Sequence, residues 1–391
     1  MLKALHNIWE IIKRELRAFG SRPIFLMIMF VAPLGFLWLF TSLMDAGLPT
    51  KLPAALVDED DTHVTRQLTR ILGTMQETNF VITTKSFTEA RQAMQRGEIY
   101  GIFRIPKGTT EAALTQRQPV ISFYTNDTYY VAASLLMKDM RKMSEMAGLA
   151  MTRATMRARG FRDDQIMGTL QPIVIESHPL GNPHLNYSVV LTNLIVPGLL
   201  MLVIMLTTSY AIGNEWKRGR QKHLYEMGDG NMIVIVTGKL LPHTVIYTIL
   251  FWLFDIIFYS YLEFPCACGL PRMMLWGFLA VLASQGFGLL MFEAFPGQMR
   301  MSMSACSLLG VMQFSLAGFS FPVSAMDEPF QWLANIFPLH HYFVIYVNQA
   351  LNGYAIHYVW ESVVALVVIF LLPQLFFWRL KDAFLHKTYI E

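Results

Sequence analysis

Between Ser188 and Ile212 the chain runs for 25 residues without one charged side chain. A helix rises about 1.5 Å per residue, so this stretch is long enough to cross the roughly 30 Å hydrocarbon layer of a bilayer. Five further windows share the pattern. Pro23–Met44 and Ser302–Phe321 are equally uncharged, and Leu240–Tyr261 is interrupted by Asp255. Met273–Phe295 carries Glu293 near its end, and Val359–Trp378 carries Glu361 near its start. The windows predict six membrane-spanning helices. Soluble chains average about 25% charged residues. Here 15% of residues are charged and 54% hydrophobic, with a mean hydropathy of +0.39, which excludes an ordinary soluble globule.

Residues 45–185 differ in kind, holding 16 Lys and Arg against 15 Asp and Glu, a water-compatible balance. Of the remaining 15 Lys and Arg, 14 fall before the first span, around the loop after the second, at Arg300, or after the last span; Arg272 alone falls in a short loop on the other side. Short loops rich in Lys and Arg stay on the cytoplasmic side. This predicts cytoplasmic termini and an outward-facing domain over 45–185. The net charge of +3 therefore reflects membrane orientation and gives no reason to expect a nucleic acid partner. The first apolar stretch is too long for a cleavable leader and lacks an Ala-x-Ala site after it, so it reads as a retained anchor. Cys266, Cys268 and Cys306 form no disulfide framework, and Cys266 and Cys268 read as plain loop residues.

In residues 1–22, Leu2, Leu5, Trp9, Ile12, Leu16 and Phe19 recur at helical spacing with charges opposite, an amphipathic helix suited to the headgroup layer. Gly20 and Pro23 mark the elbow at which the chain enters the first span, 23–44. In the outer domain, Leu52–Asp58, Phe80–Lys85, Ile99–Ile105 and Val120–Tyr124 read as strands bounded by turn residues. Between the first two, Val64, Leu68, Ile71, Leu72 and Met75 form a helical stripe, and Phe87–Gln95 is a second short helix. Alternation of strand and helix predicts an α/β domain with one sheet. A long helix follows over Thr128–Arg159, with Leu136, Met140, Met143, Ala147, Met151 and Ala154 on one face. Two uses of that face stay open, core packing and an adaptable binding surface.

The remaining region, 186–391, holds spans two to six, a cytoplasmic loop at 213–230 and an outer loop at 322–353. Pro322, Pro329 and Pro338 break any continuous helix there, which predicts a broken, re-entrant element. His340 and His341 lack metal-ligand spacing to other His or Cys. The sequence holds no Gly-x-x-x-x-Gly-Lys-[Ser/Thr] phosphate loop, Gly-x-Ser-x-Gly or His-Glu-x-x-His, so the chain is not expected to be an enzyme by itself. Asp255 lies within a span, where a carboxylate must face protein, a partner or water. A structural hydrogen bond, a place on a transport path and a proton relay are the three readings of it.

The run Gly318–Tyr342 resembles the outer loop before the last helix of ABC-2-type exporter permeases, with its Gly-x-x-Phe-Pro-x-Ser-x-Met-Pro pattern. The inward loop resembles that family's Glu-rich coupling segment: Glu215, Gly219 and Leu224 fall on it, as do Gly238, Lys239 and Pro242. It departs at Arg220 and Lys222, where Thr and a second Glu are expected, and at Gly228 in place of proline. Leu52–Asp58 and Gly97–Pro106 are similar to two motifs of its outer domain. The order and spacing of these motifs, across most of the chain, make the resemblance specific. It implies an α-helical polytopic membrane protein of six transmembrane helices with an inserted α/β extracytoplasmic domain. It further implies an ABC exporter subunit in a bacterial inner membrane, working beside a separate ATP-binding subunit that holds ATP and Mg, with no cofactor in this chain. Glu215, Gly219 and Leu224 would then couple to that ATPase, and Asp255, Phe321 and Pro322 would line the translocation path or exit gate. A second permease copy, the same chain or a homologue, and a periplasmic adaptor are the further partners implied. A proton-coupled secondary transporter and a non-transporting membrane anchor are the rival readings; the first would need inverted repeats and several paired intramembrane charges.

Overall fold

The computed structural model describes residues 2–20, 27–45, 47–115, 117, 120–158, 160–162, 166, 181–182 and 186–389. The chain divides into two compact units, residues 1–47 with 178–391, and residues 48–177.

The smaller unit is built on a four-stranded sheet: β1 (Leu52–Asp58), β2 (Thr78–Thr84), β3 (Gly101–Ile105) and β4 (Ser122–Thr125), in the order β2-β1-β3-β4. Strand β1 runs parallel to β2 and to β3, and β4 closes the edge antiparallel to β3. A central parallel strand is covered on both faces, which is why Leu-Pro-Ala-Ala-Leu-Val reads as an unbroken apolar run. Ala55, Val57 and Ile102 pack under Ala90 and Ala93 of the helix Phe87–Gln95. Leu56, Phe103 and Ile105 pack on the other face with Leu72 of the helix His63–Leu72 and with Met140 and Met143 of the helix Tyr130–Ala158. Leu136, Met140 and Met143 of the methionine stripe are therefore core; the side chains of Ala147, Met151 and Ala154 lie outside the described residues. The acidic run after β1 is divided among separate partners. Asp58 accepts from the amides of Asp60 and Asp61, Glu59 pairs with Arg104 at 2.8 Å, and Asp60 accepts from Gly108 and Thr110.

The larger unit is helical. We label its elements α1 (Leu2–Gly20), α2 (Met27–Leu43), α3 (Tyr187–Lys217), α4 (Gln221–Met227), α5 (Met232–Tyr261), α6 (Leu270–Ala294), α7 (Met299–Leu316), α8 (Glu328–Ala334), α9 (Pro338–Tyr346) and α10 (Trp360–His386). Four of these, α3, α5, α6 and α10, are long and apolar enough to cross a membrane. The expected first span is the shorter apolar helix α2; its start at Pro23, with the elbow proline, lies outside the described residues. The expected fifth span is the 18-residue α7, which carries Arg300, Gln313 and four serines and falls outside those four. Side-chain amides cap the long helices: Asn186 Oδ1 accepts from Ser188 N at the head of α3, and Asn231 Oδ1 from Ile233 N at the head of α5.

Helix α6 packs against α3 and α10 at backbone distance. A Cβ on Gly286 would lie 2.5 Å from the Ile369 carbonyl oxygen, and one on Gly288 would lie 2.6 Å from that of Met205. Small residues at such contacts are what let helices pack in lipid, where burial from water no longer drives association. Polar groups join the helices elsewhere. Tyr247 donates to Thr207 at 2.9 Å, Tyr259 to Asn193 at 3.1 Å and Tyr346 to the Val189 carbonyl at 2.7 Å. Among the prolines of 318–342, Pro322 precedes a short 3-10 turn, Pro329 falls in the first turn of α8 and Pro338 starts α9. The ring fixes φ and the missing N–H would be unpaired in a first turn anyway, so these prolines begin short helices.

Candidate coupling site

Helix α1 has two apolar faces. Leu2, Leu5, Trp9 and Leu16 point outward and are exposed, while Ile11, Glu15 and Phe19 are buried against the bundle. Contact with α5 is close because position 238 is glycine: a Cβ there would stand 2.9 Å from the Ile11 Cβ. Phe19 and His243 meet edge to face with ring centres 4.7 Å apart.

Four charges are enclosed at this junction. Lys239 of α5 donates to Glu15 of α1 at 2.8 Å and to Glu215, near the end of α3, at 2.7 Å. Arg14 of α1 pairs with the other Glu215 oxygen, and His243 Nε2 lies 3.4 Å from Glu15. The Lys239, Glu15 and Glu215 side chains are 3, 5 and 7% exposed, so little water screens these three, while Arg14 at 21% is partly open to solvent. Two cations face two carboxylates, and the cluster is neutral overall. Removing charge from water is expensive, and a buried pair that loses one member is destabilised by about 3–5 kcal/mol. Burial alone would raise the Glu15 carboxyl, but the Lys239 ammonium and the His243 contact outweigh it and hold the group down at about 2.

Beyond Glu215, α3 ends in a Schellman turn. The Arg220 amide donates to the Glu215 carbonyl at 2.8 Å and the Gly219 amide to the Trp216 carbonyl at 3.0 Å. The turn requires a left-handed residue, and Gly219 supplies φ +62°. The short helix α4 follows, with Leu224 fully buried beside Ile11, Trp216, Ile235 and Phe384. Lys222, His223 and Glu226 project from its free side, next to the exposed turn Lys217–Arg220. Gly228, where the family pattern has proline, caps α4 against Ile235, whose side chain occupies the space a Cβ would need. Asp229 takes the left-handed turn at φ +54° and pairs with Lys3 at 2.7 Å, fastening the first turn of α1 to the end of α4.

The expected coupling residues are thus brought together with separate parts: Glu215 in the charge cluster, Leu224 as the apolar anchor, Gly219 at the break between them. The expected path residues do not share one environment. Asp255 is 1% exposed and its Oδ2 has no hydrogen-bond partner among the described residues, whereas Phe321 and Pro322 are exposed. His341 is held by the Asn335 carbonyl at 2.8 Å and His340 by the Ala317 carbonyl at 3.1 Å, both structural contacts. Glu15 and His243 are missing from the sequence reading, and Arg14 enters it only as a charge beside the membrane. One signal pointed to them: Lys239 is the single Lys or Arg within α5, and a cation in such a helix needs a carboxylate.

A bundle with four helices long and apolar enough to cross a membrane, joined at one end by a charge cluster from three helices, defines a multi-pass membrane protein. The family model of the ABC-2 family transporter proteins matches residues 23–379, and the chain belongs to that family. Membership makes it a membrane component of transport, distinct from the ATPase, and implies an ATP-binding partner subunit. No curated protein matches the sequence.

Proposed function

We propose that this chain is the membrane-spanning subunit of an ATP-driven exporter, moving a hydrophobic or amphipathic substrate out of the cytoplasm or inner leaflet of a bacterial inner membrane. The observation that carries the reading is the Arg14–Glu215–Lys239–Glu15 cluster. It makes α1 and the adjoining ends of α3 and α5 one mechanical piece, with α4 seated on it through Leu224. A force on the free side of α4 is therefore delivered to two long helices and the N-terminal helix together. Closure of ATP-binding subunits would supply that force and bias a two-state change of the bundle.

The rest of the reading follows from charge and size. The 14-to-1 division of Lys and Arg supports cytoplasmic termini and an outward-facing 48–177 unit, available to an adaptor. Six spans count α2 and α7 with the four long helices. Six enclose too little for a path, so two copies would pair, each engaging one ATP-binding subunit that holds ATP and Mg. Asp255, Phe321 and Pro322 are assigned to the path and its exit, the short helices of 318–342 forming the gate.

Co-purification from the native membrane, followed by reconstitution into vesicles, tests this. An ATPase subunit should be recovered, and its ATP hydrolysis should move a lipophilic substrate to the outer face. Intact chain with no associated ATPase would sink the proposal.

A further inference from the structure

On one flank of the bundle, α5, α6 and α10 leave a groove of about 670 Å³. Its walls include Leu240, Trp252, Phe278, Leu289 and Phe370, and none of its lining residues is charged. Polar side chains nevertheless stand in it. Thr244 Oγ1 donates to Gln285 Oε1 at 2.8 Å. Gln285 Nε2 and Thr248 Oγ1, on the same lining, have no hydrogen-bond partner among the described residues, although Gln285 is 3% and Thr248 7% exposed. Gln285 lies nine residues, or about 14 Å, from the Ala294 end of α6, close to mid-depth in the hydrocarbon. A plain acyl chain offers these groups nothing to bond. A second cleft of about 500 Å³ shares Ile233, Gln374 and Phe377 with the groove and is lined beyond them by Asn231, Asp229 and Lys381, where the helices reach polar surroundings.

We propose that this groove is a binding site for an uncharged long-chain lipophile carrying a carbonyl or hydroxyl oxygen part-way along its chain. The volume falls in the range of small-molecule sites, and the apolar lining with a few convergent polar groups is their usual composition. The neutral walls select an uncharged molecule. Gln285 Nε2 donates to its oxygen, and the Thr248 hydroxyl adds a second contact. The continuous second cleft accommodates length. A partner helix fits less well, because its backbone carbonyls are already bonded within the helix. The site is formed by one chain and needs no ATP-driven cycle, so it stands apart from the transport reading.

The test uses the full-length protein in detergent micelles and a diazirine-tagged hexadecan-8-one as photolabel. Label should appear on the groove segments of α5 and α6. Untagged hexadecan-8-one should suppress it at least about tenfold better than hexadecane, the worth of roughly one hydrogen bond at 1.4 kcal/mol per tenfold. Gln285→Met should reduce that preference to within about twofold, and Thr248→Val should reduce it in part. The comparison of ketone with alkane on the unaltered protein decides the matter even where Gln285→Met fails to fold. Equal suppression by hexadecane would show a groove that merely borders bilayer chains. Label absent from the groove, or transferred from it to a bound protein, would show that a partner covers it. Either result overturns the proposal.

Discussion

The Lys239 ammonium stands 2.7 Å from the Glu215 carboxylate, spanning the turn that carries the short helix α4. Because Lys239 also holds Glu15, one residue links the N-terminal helix, the end of one long helix and the start of the next. Gly238 admits α1, Lys239 ties it, and Pro242 sits within α5 one turn further on.

Replacing Lys239 by Met leaves Glu15 and Glu215 enclosed with Arg14 as the remaining full cation. The expected cost is about 3–5 kcal/mol, read as a large drop in thermal midpoint in detergent. Combining Lys239→Met with Glu15→Gln should recover part of the loss, because the two residues share one interaction. Strictly additive losses would mean that the pair is not coupled.

At Gly219 the expected defect is in coupling. A Cβ at this position would have no heavy atom within 4 Å, so Gly219→Val meets no steric clash and only the left-handed backbone resists it. The cost of about 1–2 kcal/mol should leave the chain folded and inserted while displacing α4. ATP hydrolysis by the partner should then continue with export reduced several-fold. Unchanged export in vesicles would remove Gly219 from the coupling element.

Protonation of Glu15 should loosen the junction only in strong acid. Its folded value of about 2 lies below the ordinary 4.5, so its contribution is complete above about pH 4.5 and is lost as pH falls toward 2. The stability difference between the native protein and Glu15→Gln should stay flat from pH 8 to 5 and narrow below 4.5. A difference that vanished already near pH 6.5 would place the switch on another group.

For Asp255, Asn keeps the shape and removes the titratable proton. Under the export reading, Asp255→Asn should keep ATP-driven transport within about threefold, since a polar group enclosed at that depth needs a partner more than a charge. Abolished transport, with ATP hydrolysis intact, would favour the proton-coupled rival.

Much of this architecture was legible in order. Apolar windows with at most one charge located the long helices, and the composition of Leu52–Asp58 matched its strand residue for residue. Boundaries moved where local geometry intervened. The window Ser302–Phe321 yields a helix ending at Leu316, followed by a turn at Gly318 with φ +99°, and the last helix continues to His386 on an amphipathic turn that buries Leu380, Ala383 and Phe384. The outward stripe of α1 was readable for Leu2, Leu5, Trp9 and Leu16. Phe19 departs from that stripe for a geometric reason: at about 100° per residue it stands some 100° round the helix from Leu2 but only about 40° from Glu15. The charge cluster was the least legible part. Periodicity fixes the face a residue occupies, but Glu15 finds Lys239 across 224 positions of sequence. Helical spacing sets Arg14 opposite the apolar stripe of α1 and Glu15 beside it, and both pair with the bundle.

Coupling through α4 requires that it receive the ATP-binding subunit, and crosslinking tests that most directly. A photoreactive benzoylphenylalanine at position 223, in place of the exposed His223, should capture an ATP-binding subunit in native membranes, with a yield that changes when ATP is added. A probe at Tyr187, the first residue of α3, should not. Capture of no ATP-binding subunit from position 223, in a chain that is inserted and folded, would show that α4 does not receive it.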